Sequence, residues 1–147
     1  MPDPLHIVGI MVGIYHDGKY LMMIRSENDS EGAGDLSFVS GKTDLGPERD
    51  NPLEDTVHRE VMEEVGITVT DLVYVRSRAF TLTRGAPILM AEFICKWHSG
   101  TAHIADPEEV ESVVWLTPNE VRNHPKSPGW TVDTMAAMEA KRIELGW

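Results

Sequence analysis

The segment that most constrains the fold runs from Gly41 to Ile67, with the sequence GKTDLGPERDNPLEDTVHREVMEEVGI. Its second half predicts a helix from Pro52 to Val65, because proline suits the first helical position and Gly66 suits a left-handed C-cap. Asn51 is expected to cap the N-terminus, and Glu54 is expected to complete a capping box. The segment is therefore expected to be a loop followed by an amphipathic helix.

The glutamates of this helix are placed beside its apolar stripe rather than opposite it. At about 100° per residue, Glu60, Glu63 and Glu64 share an arc of about 100° that overlaps the stripe. Like charges at this spacing repel one another, and burial without partners is costly or raises their pKa values until they are neutral. A divalent cation would resolve both problems, because Mg²⁺ and Mn²⁺ prefer carboxylate oxygens. The alternative is a solvated glutamate run held by Arg59 and Lys42.

Residues 59–67 have the pattern Arg-Glu-hydrophobic-x-Glu-Glu-x-Gly-hydrophobic, which resembles the second half of the Nudix box of the Nudix hydrolase superfamily. The upstream half departs from that box, since Gly41 lies four residues further from the arginine than the family spacing places it. We interpret the difference as a four-residue insertion within residues 46–51. Glu48 or Asp50 would then stand in for the acid of the family's loop.

The resemblance implies hydrolysis of a diphosphate linked to another moiety, most often a nucleoside, with Mg²⁺ or Mn²⁺ as cofactor. It implies metal ligands from the helix and from the turn before it: Glu60, Glu63, Glu64 and the backbone carbonyl of Ser40 or Gly41. Glu60 is either a ligand or the base that orients water. Arg59 is expected to hold a carboxylate of the box, because guanidinium geometry suits carboxylates.

Further candidates come from outside the box. The family often takes another acid from the loop before its late strand, where Glu108, Glu109 and Glu111 are candidates and Glu109 is preferred. A solvated loop acid is the alternative for each of the three. Lys42 and Arg78 are expected to contact substrate, with an ordinary structural or surface role as the alternative.

The charge of the chain limits its partners. A net charge of −11 argues against nucleic-acid and anionic membrane surfaces, which need basic patches. It does not exclude a nucleotide, because bound Mg²⁺ can supply positive charge. We therefore expect a small-molecule substrate, either a nucleoside diphosphate derivative or a nucleoside triphosphate. A non-catalytic Nudix-like nucleotide-binding module is the alternative, although the retained glutamates favour an enzyme. A homodimer is left open.

Length and pattern predict a single domain over residues 1–147. The amino terminus lacks a signal-peptide pattern and Cys95 lies alone in an apolar run, so a reducing, cytoplasmic location is expected. An Asp17-Gly18 hairpin opens the chain, and further strands alternate with the helix. This order predicts a mixed sheet between helices, in agreement with the α/β/α sandwich that the resemblance implies.

Four local features complete the expectations. The strand after Gly66 is expected to bend near Asp71, and residues 103–111 are expected to form an acidic loop before a strand at 113–116. A short helix opening at Thr117 is expected to carry a capping box. The last helix is expected to be capped by Thr131 or Asp133.

Overall fold

The structure is a computed structural model that describes residues 2–44 and 46–147. Its elements are β1 (Ile7–His16), β2 (Lys19–Arg25), β3 (Leu36–Ser37), β4 (Val39–Lys42), α1 (Pro52–Val65), β5 (Thr68–Thr81), β6 (Pro87–Ser99), β7 (Val110–Leu116), α2 (Pro118–Asn123) and α3 (Gly129–Leu145). The strands form one seven-stranded mixed sheet, and helices cover both of its faces.

Strand β1 is the centre of this sheet. It forms the predicted hairpin with β2, and the turn residues Asp17 and Gly18 have φ values of 49° and 79°. Further along, β1 pairs antiparallel with β4 and parallel with β6. Strand β5 pairs antiparallel with β6, while β3 and β7 both pair with β2. Strands β4 and β6 therefore flank the first half of β1, and this arrangement positions the candidate site.

The two faces of the sheet carry separate hydrophobic cores. On one face, the α1 side chains Val57, Val61 and Val65 are fully buried in a cluster with β1 residues. On the other face, Met135 and Met138 of α3 are fully buried in a second cluster. The predicted α/β/α sandwich is therefore confirmed.

Helix α1 has the predicted bounds, but it begins differently from the prediction. Gly66 ends it in the left-handed region at φ 70°, and its N–H donates to the carbonyls of Val61 and Met62. Asn51 is also left-handed, at φ 54°, and its side chain makes no capping hydrogen bond. The capping box with Glu54 is thus wrong, because a capping side chain reaches the first turn from extended backbone.

The start of the last helix also differs from the prediction. Helix α3 begins at Gly129 with Pro128 in the N-cap position, three residues before Thr131 and five before Asp133. The Thr131 hydroxyl donates to the Leu36 carbonyl at 2.7 Å, and Asp133 pairs with Arg76 at 3.2 Å. Neither side chain caps the helix, because both are engaged by partners distant in the chain. The capping box of α2, between Thr117 and Glu120, is present as predicted.

Two strands depart from their expected bounds. Strand β5 is continuous, with the expected irregularity near Asp71, where φ is 56° and the register with β6 shifts. Strand β7 begins at Val110, inside the expected acidic loop, because its first residues pair with β2. Cys95 is fully buried, as predicted. No helix in the described parts of the chain is long and apolar enough to cross a membrane.

Candidate active site

A cavity of about 770 Å³ crosses one region of the sheet. Met11 lies on its floor, and the register places this residue between Ser40 of β4 and Glu92 of β6. The cavity is bordered on the β4 side by acids of α1, and on the β5–β6 side by cationic and apolar side chains. One continuous space therefore joins an acidic side to a side that suits an organic group.

Gly41 allows helix α1 to approach strand β4 closely. A Cβ added at this position would overlap the Glu60 carboxyl group, so only glycine leaves the space that Glu60 occupies. This contact places the carboxylates of α1 directly beside the Ser40-Gly41 backbone. The sequence predicts this neighbourhood, and the reason for glycine at position 41 becomes visible only in three dimensions.

Glu64 is the most buried acid of the helix. It is 6% exposed, and its Oε2 has no hydrogen-bond partner. Burial, followed by the nearby Glu60 charge, raises the pKa of Glu64 to about 8, although Arg25 and a backbone hydrogen bond from Ser40 oppose the rise. A buried carboxyl oxygen without a partner is costly, so this site favours a proton or a cation. Its burial excludes the alternative in which all three glutamates are solvated.

Glu60 is the second perturbed acid. Burial raises its pKa to about 7, and the charges of Glu63 and Glu109 add to the rise, while Arg59 opposes it. Arg59 Nη2 lies 3.3 Å from Glu60 Oε1 and donates to the Lys42 carbonyl at 3.0 Å. The arginine therefore joins the helix to the end of β4, and this is the kind of contact that the sequence predicts for it.

The remaining candidate acids divide into two groups. Glu63 is exposed and lines the cavity together with Glu109. Glu108 and Glu111 do not line it, and neither do Glu48 and Asp50 of the insertion, which is exposed from Gly46 to Asp50. The structure thus brings Glu109, the preferred loop acid, to the same space as the box.

The opposite side of the cavity combines two arginines with apolar side chains. Arg78 lines it and contacts Asp133 at 3.7 Å, and Arg84 lies nearby in the β5–β6 turn. The apolar members are Phe80, Leu82, Ile88, Met90 and Trp130. Lys42 borders the acidic side. A ligand with a charged chain and a flat organic group has complementary surfaces in this cavity.

Several cavity residues were missed by the sequence reasoning. Asp106 lines the cavity and contributes to the raised pKa of Glu60, and its only sequence signal is its place in the acidic loop. Glu92 is buried in a hydrogen-bonded ion pair with Arg76, at 2.5 Å, and Thr134 donates to it at 3.0 Å. Arg25 lines the cavity at the end of β2. These residues have no local pattern that predicts their partners.

The residues present fit a divalent cation by their chemistry. Glu64 offers an unpartnered buried oxygen, and Glu60 and the backbone of Ser40 and Gly41 lie beside it. All are hard oxygen donors of the kind that Mg²⁺ and Mn²⁺ prefer. As the side chains stand, no group of three or more His, Cys, Asp or Glu within residues 2–44 and 46–147 is arranged to hold a metal ion. Glu60 instead contacts Arg59.

A family comparison identifies the class of this fold and site. The NUDIX domain model matches residues 5–137. The chain therefore belongs to the NUDIX family, as the resemblance predicts. It is similar to the NAD-capped RNA hydrolase NudC of Photorhabdus laumondii, with 31% identity over 106 residues, 72% of this chain and 37% of that protein. The chain thus spans about a third of the length of the curated relatives it matches.

Solved structures agree on the fold. The MutT NUDIX hydrolase from Burkholderia pseudomallei superimposes with a TM-score of 0.76 at 21% identity, covering 91% of this chain and 98% of that one. The NUDIX domain of Shewanella oneidensis NrtR, solved with ADP ribose, gives a TM-score of 0.74 at 19% identity over 97% of this chain and 90% of its own. At these identities the likeness establishes the fold alone.

Proposed function

We propose that this chain is a single-domain, divalent-metal-dependent hydrolase that cleaves a diphosphate linkage in a nucleoside diphosphate derivative or a nucleoside triphosphate. The observation that carries the proposal is the buried Glu64, which has a carboxyl oxygen without a partner and lines the same cavity as the apolar and cationic side chains. An ionisable group perturbed by burial inside a cleft is a strong candidate for a functional group. A cytoplasmic location remains a prediction of the sequence.

The proposed ligands are oxygens from α1 and β4: Glu60, Glu63, Glu64 and the backbone carbonyl of Ser40 or Gly41. Mg²⁺ or Mn²⁺ bound there would supply positive charge that neutralises the phosphate and favours attack on phosphorus. With such a cation bound, the net negative charge of the chain is compatible with a phosphate substrate.

The chain's own residues supply the remaining functions. A water oxygen forms a bond to phosphorus, the bridging P–O bond breaks, and the water proton passes to Glu60 or Glu109. With no metal bound, burial raises the pKa of Glu60 to about 7, which suits Glu60 to accept a proton near neutral pH where it acts as the base. Where Glu60 instead binds the metal, Glu109 takes the proton. Arg59 holds the Glu60 carboxylate in place at 3.3 Å. Lys42 and Arg78 are proposed to contact the phosphates, and the apolar side to receive the base.

The relatives suggest which compounds to test first. The names of the similar proteins mention NAD-capped RNA, NAD(P)H and ADP ribose. We propose a nucleotide-type substrate of this kind or a triphosphate. A panel should therefore include dinucleotides, ADP ribose, nucleotide sugars and the common triphosphates, each with Mg²⁺ or Mn²⁺ and with products identified by mass.

The expected result is cleavage within the diphosphate of at least one compound, dependent on the metal and lost with a chelator. Glu54→Gln is a matched control on the same helix, since Glu54 does not line the cavity. Nucleotide binding without turnover across the panel would instead support the non-catalytic binding module. Absence of both binding and turnover would contradict a nucleotide site.

A further inference from the structure

The Arg25 side chain connects separate segments beside the cavity through several hydrogen bonds. It ends strand β2, and its side chain is 15% exposed. Nη2 contacts Asp29 at 2.7 Å, Nε donates to the Glu31 carbonyl at 2.7 Å, and Nη1 donates to Ser40 Oγ at 3.3 Å. The planar fork of one guanidinium thus holds the β2–β3 connection, residues 26–35, and strand β4 at the same time.

Glu31 continues this chain of contacts to the other side of the cavity. Its Oε1 accepts from the Thr83 N–H at 2.8 Å, and its Oε2 accepts from the Thr83 hydroxyl at 3.0 Å. Thr83 lies in the turn between β5 and β6, and its neighbours Leu82 and Arg84 line the cavity. Both carboxylate oxygens of Glu31 therefore accept hydrogen bonds from a residue 52 positions away in the sequence.

These contacts form one series, Ser40–Arg25–Glu31–Thr83, which we name the cross-cavity strap. Ser40 belongs to the acidic side, and Thr83 belongs to the turn that carries Leu82 and Arg84 of the opposite side. The Asp29 carboxylate stiffens the middle of the strap, because it also accepts the Glu31 N–H at 2.9 Å. The strap therefore sets the separation of the two sides between which a substrate would be placed.

We infer that Arg25 is a positioning residue that, through the cross-cavity strap, fixes the Ser40 backbone and the β5–β6 turn relative to each other. The inference rests on the proposed function, because it assigns Arg25 a role in the geometry of that same site. A small displacement of a positioned group can cost a large part of a rate, so the expected effect is on turnover. Arg25 need not contact the substrate for this effect.

Arg25→Lys is the main test, because it keeps the charge and removes the planar fork. We expect kcat to fall by about tenfold or more with KM changed by less than about threefold, since the cavity surfaces that bind the nucleotide remain. Arg142→Lys is the matched control, because Arg142 also holds a carboxylate and a backbone carbonyl but lies outside the cavity. If a direct phosphate contact were the role of Arg25, lysine would retain kcat and Arg25→Gln would raise KM, and that result would overturn the inference.

Hydrogen exchange supplies a readout that does not require activity. The Thr83 N–H donates to Glu31, so its protection should depend on the strap. Arg25→Lys should accelerate exchange at Thr83, in a different segment of the chain, while Arg142→Lys should not. A calorimetric titration with Mn²⁺ alone should also show weaker binding in Arg25→Lys, because the Ser40 backbone is less fixed. Unchanged exchange and unchanged Mn²⁺ affinity would overturn the inference.

A second variant keeps the test decisive if Arg25→Lys folds poorly. Glu31→Gln weakens the strap at its outer end, where the hydrogen bonds between Glu31 and Thr83 are exposed to solvent. On its own, Glu31→Gln should accelerate exchange at Thr83 and also weaken Mn²⁺ binding, because Ser40 lies at the other end of the same series of contacts. Faster exchange at Thr83 with unchanged Mn²⁺ affinity would overturn the inference, because it would show that the two ends of the strap are not connected. If the wild-type protein hydrolyses no compound, the proposed function fails, and the exchange data still decide whether the strap exists.

Discussion

Replacing Glu64 by glutamine tests the buried carboxylate most directly, because it removes the charge and nearly preserves the shape. Burial raises the folded-state pKa of Glu64 from 4.5 to about 8. A carboxyl group whose pKa is higher in the folded state than in the unfolded state stabilises the protein at pH values below its unfolded-state pKa. This contribution is lost as the pH rises through the folded-state pKa. Without metal, the wild-type free energy of unfolding should therefore fall between about pH 4.5 and pH 8.

The size of the effect follows from the shift. At about 1.4 kcal/mol per unit of pKa, ionisation of Glu64 removes about 3 kcal/mol of stability between about pH 5 and pH 8. Glu64→Gln lacks this contribution, so its stability relative to wild type should improve by about 3 kcal/mol over that interval. The free-energy cost of burying the glutamine amide does not change with pH, so it cancels when the stability differences at the two pH values are compared.

Urea unfolding followed by circular dichroism, with a chelator present, measures this difference. Glu63→Gln is the control, since it makes the same chemical change at the preceding, exposed residue. A relative gain of less than about 1 kcal/mol for Glu64→Gln would refute the reasoning, because it would mean that the carboxylate is solvated.

Three further predictions concern activity, metal and the insertion. Glu63→Gln should keep the fold and lower turnover by at least about a hundredfold at saturating Mg²⁺; wild-type turnover would contradict its assignment. Mg²⁺ or Mn²⁺ should raise the melting temperature more at pH 8 than at pH 6, because Glu60 and Glu64, with pKa values of about 7 and about 8, must ionise to bind metal. Scanning calorimetry at both pH values tests this prediction. An equal rise in melting temperature at both pH values would count against these ligands. Deleting residues 47–50 should retain the fold and metal-dependent hydrolysis, because these residues are exposed and shortening such a loop changes its closure entropy little. A deletion variant that folds and binds metal but is inactive would show that the loop supplies a catalytic group.

The sequence predicts α1 well because its signals are local. Pro52 and Gly66 act on backbone dihedrals within one or two residues, and the helical angles place Glu64 inside the apolar stripe and Glu63 outside it. Each of these inferences needs only the period of the helix. The burial order of the glutamates follows directly from that period.

The features that were wrong or missed depend on partners far along the chain. Thr131 and Asp133 have the residue types of helix caps, but contacts with Leu36 and Arg76 determine their positions. Arg25 has no neighbour in sequence that predicts contact with Ser40. Tertiary contacts of this kind override local preference. The Thr131 hydroxyl is buried and must find a partner wherever the fold provides one, whereas the exposed Asp133 carboxylate pairs with the nearby arginine.

The parallel pairing of β1 with β6 also has a consequence for the order of folding. It joins Ile7 to Ile88 and Tyr15 to Lys96, so the two borders of the cavity meet only after a long chain segment has closed. Such non-local pairings carry a large entropic cost before they are rewarded, and they form slowly. We therefore expect Mn²⁺ affinity to return in the last phase of refolding, together with the tertiary signal, and to be absent from fragments that end before β6.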